Sequence, residues 1–282
     1  MPNDFHTIAV VSKLFSNNFV HEILHGIEPH LFKGPYEVNY YPTTGRTDFE
    51  SDILKTILLE RRADAMISIS VPMEIDLLES YKNAGIPVVF IEETVEGGHT
   101  VKVDNVKGSY MAVEHLIKQG RKKIGIISGE FLDKRTNANV VERLIGYRKA
   151  MEDYELEFDQ KMVKHVAYYE FDEGNQKAKE FMAEYKDLDA LFCAAGDLVA
   201  MGAIEAIHQA GLVVPKDIAV VGYDDINVSE FTKPALTTVK QPLAKLGSEA
   251  FELAVRCING QIGRDESRLI ILDPKFIIRQ SA

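Results

Sequence analysis

Residues 190–225 read ALFCAAGDLVAMGAIEAIHQAGLVVPKDIAVVGYDD, and this stretch contains one complete unit of the pattern that decides the fold. The apolar run Ala190-Leu-Phe-Cys-Ala194 passes into a loop at Gly196-Asp197. A span of helical length follows, stops at Gly211, and gives way to the next run, Ile218-Ala-Val-Val-Gly222. Runs that are apolar throughout, rather than alternating, belong to strands covered on both faces, which is the parallel-sheet condition. The unit recurs outward along the chain at Thr7-Ile-Ala-Val-Val-Ser12, Ala65-Met-Ile-Ser-Ile-Ser70, Val88-Val-Phe-Ile91 and Ile124-Gly-Ile-Ile-Ser128. Helical stripes lie between the runs: Val106, Tyr110, Val113 and Ile117 make one, Leu243, Leu246, Ala250 and Leu253 another. Gly85, Gly120 and Gly211 stand where helices end and supply left-handed caps. The expected fold is doubly wound α/β, built as two successive parallel sheets.

That fold class places the chemistry, because open parallel sheets bind ligands beyond the carboxyl ends of their strands. The residues expected there are Ser16-Asn17-Asn18-Phe19, Glu92-Glu93, the loop from Gly129, Gly196-Asp197 and Tyr223-Asp224-Asp225. They are polar and aromatic, which suits a small, hydroxyl-rich ligand held between two sheets.

Composition excludes several classes of function. A chain of 282 residues suggests two domains. Its net charge of −11 opposes direct binding to a phosphate backbone. Two cysteines, Cys193 and Cys257, cannot form a disulfide framework, and both fall among apolar neighbours as small core residues. No apolar leader opens the sequence and no run is long enough to cross a bilayer, so a cytoplasmic location with no membrane contact is expected.

One enzyme motif is present. His21-Glu-Ile-Leu-His25 matches H-E-x-x-H, which on a helix could hold zinc with Glu22 as base. No third ligand accompanies it and it follows the first strand of a repeated α/β pattern, so it reads as coincidence. Dinucleotide, P-loop, nucleophile-elbow and C-x-x-C patterns are absent. The chain is therefore read as a non-enzyme requiring no cofactor and no metal. Asp224 and Asp225 are adjacent on an extended segment and point to opposite sides, one toward ligand and one toward structure. Arg143 lies near the start of a helix that follows a strand, where its fork could donate to ring hydroxyls. A surface pairing with Glu142 is the alternative.

The set of motifs resembles the LacI/GalR regulators. Val214-Pro-Lys-Asp-Ile-Ala-Val-Val-Gly-Tyr-Asp-Asp225, Pro234-Ala-Leu-Thr-Thr-Val-Lys-Gln-Pro242, and Leu246-Gly247 look like that family's C-terminal hallmark. Ala200-Met-Gly-Ala203, residues 113–120 and Arg143-Leu-Ile-Gly-Tyr147 match in the expected order. The resemblance covers nearly all of residues 6–282. It implies two periplasmic-binding-protein-like lobes joined by crossovers near residues 103, 239 and 268. The lobes would be 6–103 plus 240–268, and 104–239 plus 269–282, with Lys275-Phe-Ile-Ile-Arg279 as a last strand returning to the second lobe. It also implies a homodimer that senses a small effector in the cleft between the lobes and controls operator DNA through an N-terminal helix-turn-helix head preceding Thr7. With no heptad tail, a dimer rather than a tetramer is expected.

Carried over by position, Arg143 resembles the effector-binding arginine, Asp224 the aspartate of G-Y-D, and Asp104 the acidic residue after the first crossover. Phe19 stands where an aromatic meets the ligand ring. Asn137 and Asn139 occupy the variable segment whose residues differ with the effector, and two amides favour a sugar or sugar derivative over a purine. Asn17, Glu92 and Asp197 complete the expected site. Two departures stand out: Gly196, where sugar sensors often carry Asn, and Val20, where a second aromatic is usual. The rival reading is the solute-binding protein of a sugar transporter, which shares the two-lobe architecture.

Overall fold

The computed structural model describes residues 5–13, 15, 17–44, 47–130 and 138–282. The chain divides into two compact units: the first runs to Val103 and resumes over Pro242–Leu272, the second comprises Asp104–Gln241 and Asp273–Ala282.

In the first unit, strands β1 (His6–Ser12), β2 (Tyr36–Pro42), β3 (Ala65–Ile69), β4 (Val88–Ile91), β5 (His99–Val103) and β11 (Leu269–Leu272) form one sheet in the order β11-β5-β4-β3-β1-β2. The second unit repeats this order. Its strands β6 (Ile124–Gly129), β7 (Val163–Val166), β8 (Ala190–Cys193), β9 (Ala219–Asp224), β10 (Thr237–Lys240) and β12 (Lys275–Ile277) lie as β12-β10-β9-β8-β6-β7. The order reverses between β1 and β3, and again between β6 and β8, which are the switch points where a doubly wound sheet opens a crevice at its carboxyl edge. Every pairing in the first sheet is parallel. In the second, β12 runs antiparallel to β10. This departs from the all-parallel expectation, and it falls at the sheet edge, where an otherwise parallel sheet accommodates an antiparallel strand.

The third crossover corrects an expected boundary. Residues 269–272, expected in the second lobe, belong to the first: β11 pairs parallel with β5, Leu269 opposite Thr100. This strand gives the first sheet its outer edge before the chain crosses at Asp273.

Among the described residues, eight α-helices cover the two sheets: α1 (Asn18–Leu31), α2 (Thr47–Leu59) and α3 (Ile75–Ala84); α4 (Asn105–Lys118) and α5 (Ala138–Asp153); α6 (Phe171–Glu184), α7 (Asp197–Gln209) and α8 (Leu243–Ile258). On α8 the expected stripe is buried, joined by Phe251 and Ala254. Its contact with α1 is unusually close: a Cβ at Gly247 would lie 2.0 Å from the Ile23 carbonyl oxygen, and one at Gly26 1.7 Å from that of Ala244. In the second unit, α6 and α7 meet the same way, through Gly174 and Gly202.

On α4 the expected stripe is off-centre. Val106, Tyr110 and Ile117 are half-buried, whereas Asn105, Gly108, Ser109, Ala112, Val113 and Leu116 are buried. The reason is again close helix packing, since a Cβ at Gly146 of α5 would reach within 2.3 Å of the Val106 carbonyl oxygen. Small residues rather than large ones mark the inner face there. Gly85, Gly120 and Gly211 all take positive φ, at 77°, 88° and 77°, as helix-stop residues.

Candidate functional site

In the second unit the candidate site is assembled around Arg143. Its helix α5 follows β6, and the side chain is 6% exposed, which rules out a surface ion pair with Glu142. Nε donates to Asn105 Oδ1 at 2.9 Å and Nη1 to the Ala194 carbonyl at 2.7 Å, just past the end of β8. The guanidinium carbon lies 3.8 Å from the ring centroid of Tyr223, on β9. The Tyr223 hydroxyl donates to the same Asn105 oxygen at 3.1 Å. Three elements thus fix the fork through neutral acceptors and a ring face. These contacts orient the guanidinium without neutralising it.

Asp224 follows Tyr223 with φ 108°, and Asp225 with φ 57°. A non-glycine residue at such an angle carries backbone strain. The two carboxylates go opposite ways. Asp225 forms ion pairs with Arg279 at 2.7 Å and Lys240 at 2.9 Å, while Asp224 Oδ1 accepts from Gln241 Nε2 at 2.6 Å. Gly196 has φ 129°, and a Cβ there would come within 3.1 Å of Asp224 Oδ2, so an Asn at this position would crowd the carboxylate.

Asp197 corrects an expectation. Sequence position suggests an effector contact, but the residue opens α7 with 1% exposure. Its Oδ2 accepts from the Ile226 N–H at 2.9 Å and the Ser229 hydroxyl at 2.7 Å, and its Oδ1 from the Thr238 hydroxyl at 2.6 Å. It ties α7 to the segments on either side of residues 230–236. Burial, and then the nearby charge of Asp224, push its carboxyl up to about 7, against three hydrogen bonds that favour the ionised form. The Gly-Tyr-Asp pattern gains a structural reason: a Cβ at Gly222 would stand 2.2 Å from Asp197 Oδ1.

Asp104 caps α4, accepting from the Lys107 N–H at 2.9 Å. Asn139 lies in the first turn of α5. Its Oδ1, with Ser128 Oγ at the end of β6, is buried without a hydrogen-bond partner among the described residues. Asn137 lies outside the described residues. Sequence reasoning missed Asn105, Ser128 and Tyr169. Tyr169 follows β7 with φ 62°, and its hydroxyl oxygen lies where a Cβ on Gly129 would come within 2.1 Å. The Tyr168-Tyr169 pair just beyond the short run Val163-Lys-His-Val166 was the available signal.

In the first unit the expected residues serve structure first. Asn17 caps α1, accepting from the Val20 N–H at 2.8 Å. Phe19 is half-buried against the core of this unit. Glu92 is buried with φ 64°, and its Oε1 accepts from the Val103 N–H at 2.7 Å, joining the ends of β4 and β5. His21 and His25 share the exposed side of α1, ring centroids 4.9 Å apart. No group of three or more potential metal ligands occurs among the described residues. Cys193 is buried, and burial pushes its thiol up strongly; Cys257 is half-buried at about 11 for the same reason, with Sγ 3.4 Å from His99 Nε2.

Comparison with known proteins supplies the context. A family described as "Periplasmic binding protein-like domain" matches residues 113–282. The HTH-type transcriptional repressor PurR of Aliivibrio salmonicida is 30% identical over 99% of this chain and 82% of its own length. The HTH-type transcriptional regulator CelR of Thermobifida fusca is 30% identical over 98% of this chain and 81% of its own. Among solved structures, a transcriptional regulator CelR–cellobiose complex superposes with TM-score 0.88 at 28% identity, covering 100% of this chain and 86% of that one. A LacI family regulator from Enterococcus faecium with bound ribose gives TM-score 0.83 at 24% identity, covering 98% of each chain.

Proposed function

The chain belongs to the periplasmic binding protein-like family, among the LacI-type transcriptional regulators, and from that premise we propose that it senses a sugar or sugar derivative through Arg143 and Asp224. The observation that carries this reading is the setting of Arg143. A buried cation is oriented by neutral acceptors, and its described hydrogen bonds engage Nε and one Nη1 hydrogen. The remaining donors suit hydroxyl oxygens, and the Asp224 carboxylate is a matching acceptor for hydroxyl protons. Asn139 and Ser128 add polar groups that are without a hydrogen-bond partner among the described residues, at the same carboxyl edge. Asn17, Phe19, Glu92, Asp104 and Asn137 belong to the proposed site in secondary roles. The solved CelR relative carries cellobiose, which supports a sugar-like effector and a regulator rather than a transport protein.

The mechanism is linkage. An effector that binds one arrangement of the lobes more tightly shifts the population toward it, and operator affinity changes by the same differential. These residues, with net charge −11, sense and dimerise, while the operator is read by the DNA-binding head of the full regulator. No helix among the described residues is long and apolar enough to cross a membrane. We place the protein in the cytoplasm, as a homodimer without catalytic activity.

The test is melting temperature against monosaccharides, disaccharides, sugar phosphates and nucleobases, repeated with Arg143→Ala and Asp224→Asn. A saturable rise with one sugar class, lost in both variants, is expected. A rise with a nucleobase alone would replace the sugar by a purine, and a sugar response that survives both substitutions would move the site elsewhere.

A further inference from the structure

The carboxylate that the proposed site offers to an effector stands on a strained stretch of backbone. Asp224 closes β9 with φ 108°, beyond the left-handed helical region, and Asp225 follows at φ 57°, inside it. Asp and Asn tolerate the second angle, but the first carries strain in any residue other than glycine. Such a pair of angles persists only where the surroundings fix it. Asp225 supplies the fixing. Its side chain is 7% exposed, and Lys240 Nζ donates to its Oδ2 at 2.9 Å. Arg279 Nη2 lies 2.7 Å from its Oδ1, an ion pair outside hydrogen-bond alignment. Arg279 is itself held: its backbone N–H donates to Thr237 Oγ1 at 2.9 Å and its Nη1 to the Leu236 carbonyl at 2.8 Å.

These ion pairs are not needed to assemble the sheet. β10 already pairs with β9, Lys240 opposite Asp224, and with β12, Lys240 opposite Lys275. A buried ion pair also loses in desolvation much of what it gains in attraction, so its net contribution to stability is small. What the pairs add lies past the last rung of the β9–β10 ladder, where the backbone turns to positive φ. The carboxylates of Asp224 and Asp225 go opposite ways, so anchoring one fixes the direction of the other. Asp225 is anchored by Arg279 and Lys240, and Asp224 Oδ1 meets Gln241 Nε2 at 2.6 Å. The anchors stand on segments next to the points where the chain changes unit: Lys240 just before Gln241, and Arg279 in the stretch that begins at Asp273.

We propose that Asp225, held by Arg279 and Lys240, is a positioning residue that aims the Asp224 carboxylate at the effector. This role rests on the reading of Asp224 as an effector contact. The experiment is isothermal titration of the whole chain with one saccharide. The probe is whichever of glucose, galactose, ribose, maltose and cellobiose gives the largest saturable rise in melting temperature. Asp225→Asn and Arg279→Gln are each expected to weaken binding about fivefold or more. An unfolded fraction lowers the binding stoichiometry rather than the affinity, so misfolding does not mimic this result. Asp225→Gly permits the left-handed angle without a carboxylate and should weaken binding as much as Asp225→Asn. In the Asp224→Asn background, Asp225→Asn should add less than about twofold, because it acts through Asp224. Wild-type affinity in Asp225→Asn, Asp225→Gly or Arg279→Gln overturns the proposal. So does a fully additive loss in the double variant, which would make Asp225 a support of the fold alone. A weakened Asp224→Asn beside an unchanged Asp225→Asn removes this inference and leaves the effector reading standing. An unchanged Asp224→Asn, or a wild type that binds none of these sugars, removes the effector reading and this inference together.

Discussion

Asp197→Asn isolates the buried carboxyl that joins α7 to the segments around Ile226, Ser229 and Thr238. Its folded-state value, about 7, lies above the ordinary 3.8. The sign follows: the group's contribution to stability is complete below about pH 4 and is lost as pH rises through about 7. At about 1.4 kcal/mol per tenfold change, the wild-type protein loses about 2–3 kcal/mol from this group between about pH 5 and about pH 8. The Asn variant carries a penalty of about 1–3 kcal/mol at every pH, because its amide nitrogen leaves one of the three donors without an acceptor. Urea unfolding of both proteins at both pH values therefore gives a wild-type advantage that shrinks by about 2–3 kcal/mol toward the alkaline end. A gap that is constant with pH would refute the reasoning. It would mean that the three hydrogen bonds keep the carboxyl ionised throughout and that burial does not control its titration.

Gly247→Ala sets a Cβ 2.0 Å from the Ile23 carbonyl oxygen, so α1 and α8 must separate. We expect a loss of about 1–3 kcal/mol by denaturant unfolding, and an unchanged midpoint would show that the helix contact yields freely. Tyr147→Phe removes a buried hydroxyl that donates to the Ile124 carbonyl at 2.7 Å; a loss of about 1 kcal/mol is expected from the same assay. Cys257, held up to about 11 by burial, should react slowly with iodoacetamide at neutral pH and faster as pH rises toward that value. Rapid, pH-independent modification would contradict its placement beside His99.

The strands legible in the sequence were those apolar on both faces, such as β3 and β8. β2 was missed because Tyr36–Pro42 alternates between half-buried and exposed positions at the sheet edge. β5 was missed for the opposite reason. All five of its residues are buried, yet they include His99, Thr100 and Lys102, whose polarity hid an interior strand. Thr100 resolves the conflict by donating to the Glu93 carbonyl at 3.2 Å, and His99 by facing Cys257. In the site, Arg143 was singled out as a candidate from its position, but neither its burial nor what holds it was legible there. Asn105 and Ala194 lie 38 and 51 residues away in sequence. The structural role of Asp197 was hidden in the same way, since Ile226, Ser229 and Thr238 follow it by 29, 32 and 41 residues. Spacing along a chain reports local periodicity, while a buried polar group is explained by whichever distant segments the topology brings to it.

The central claim is that Arg143 and Asp224 hold the effector. Isothermal titration of the sugar that raises the melting temperature, into wild type, Arg143→Lys and Asp224→Asn, tests it most directly. The lysine retains the charge but loses the fork over Tyr223. At least a tenfold weakening is expected in each variant, about 1.4 kcal/mol or more, with folding preserved. Wild-type affinity in both variants would contradict it.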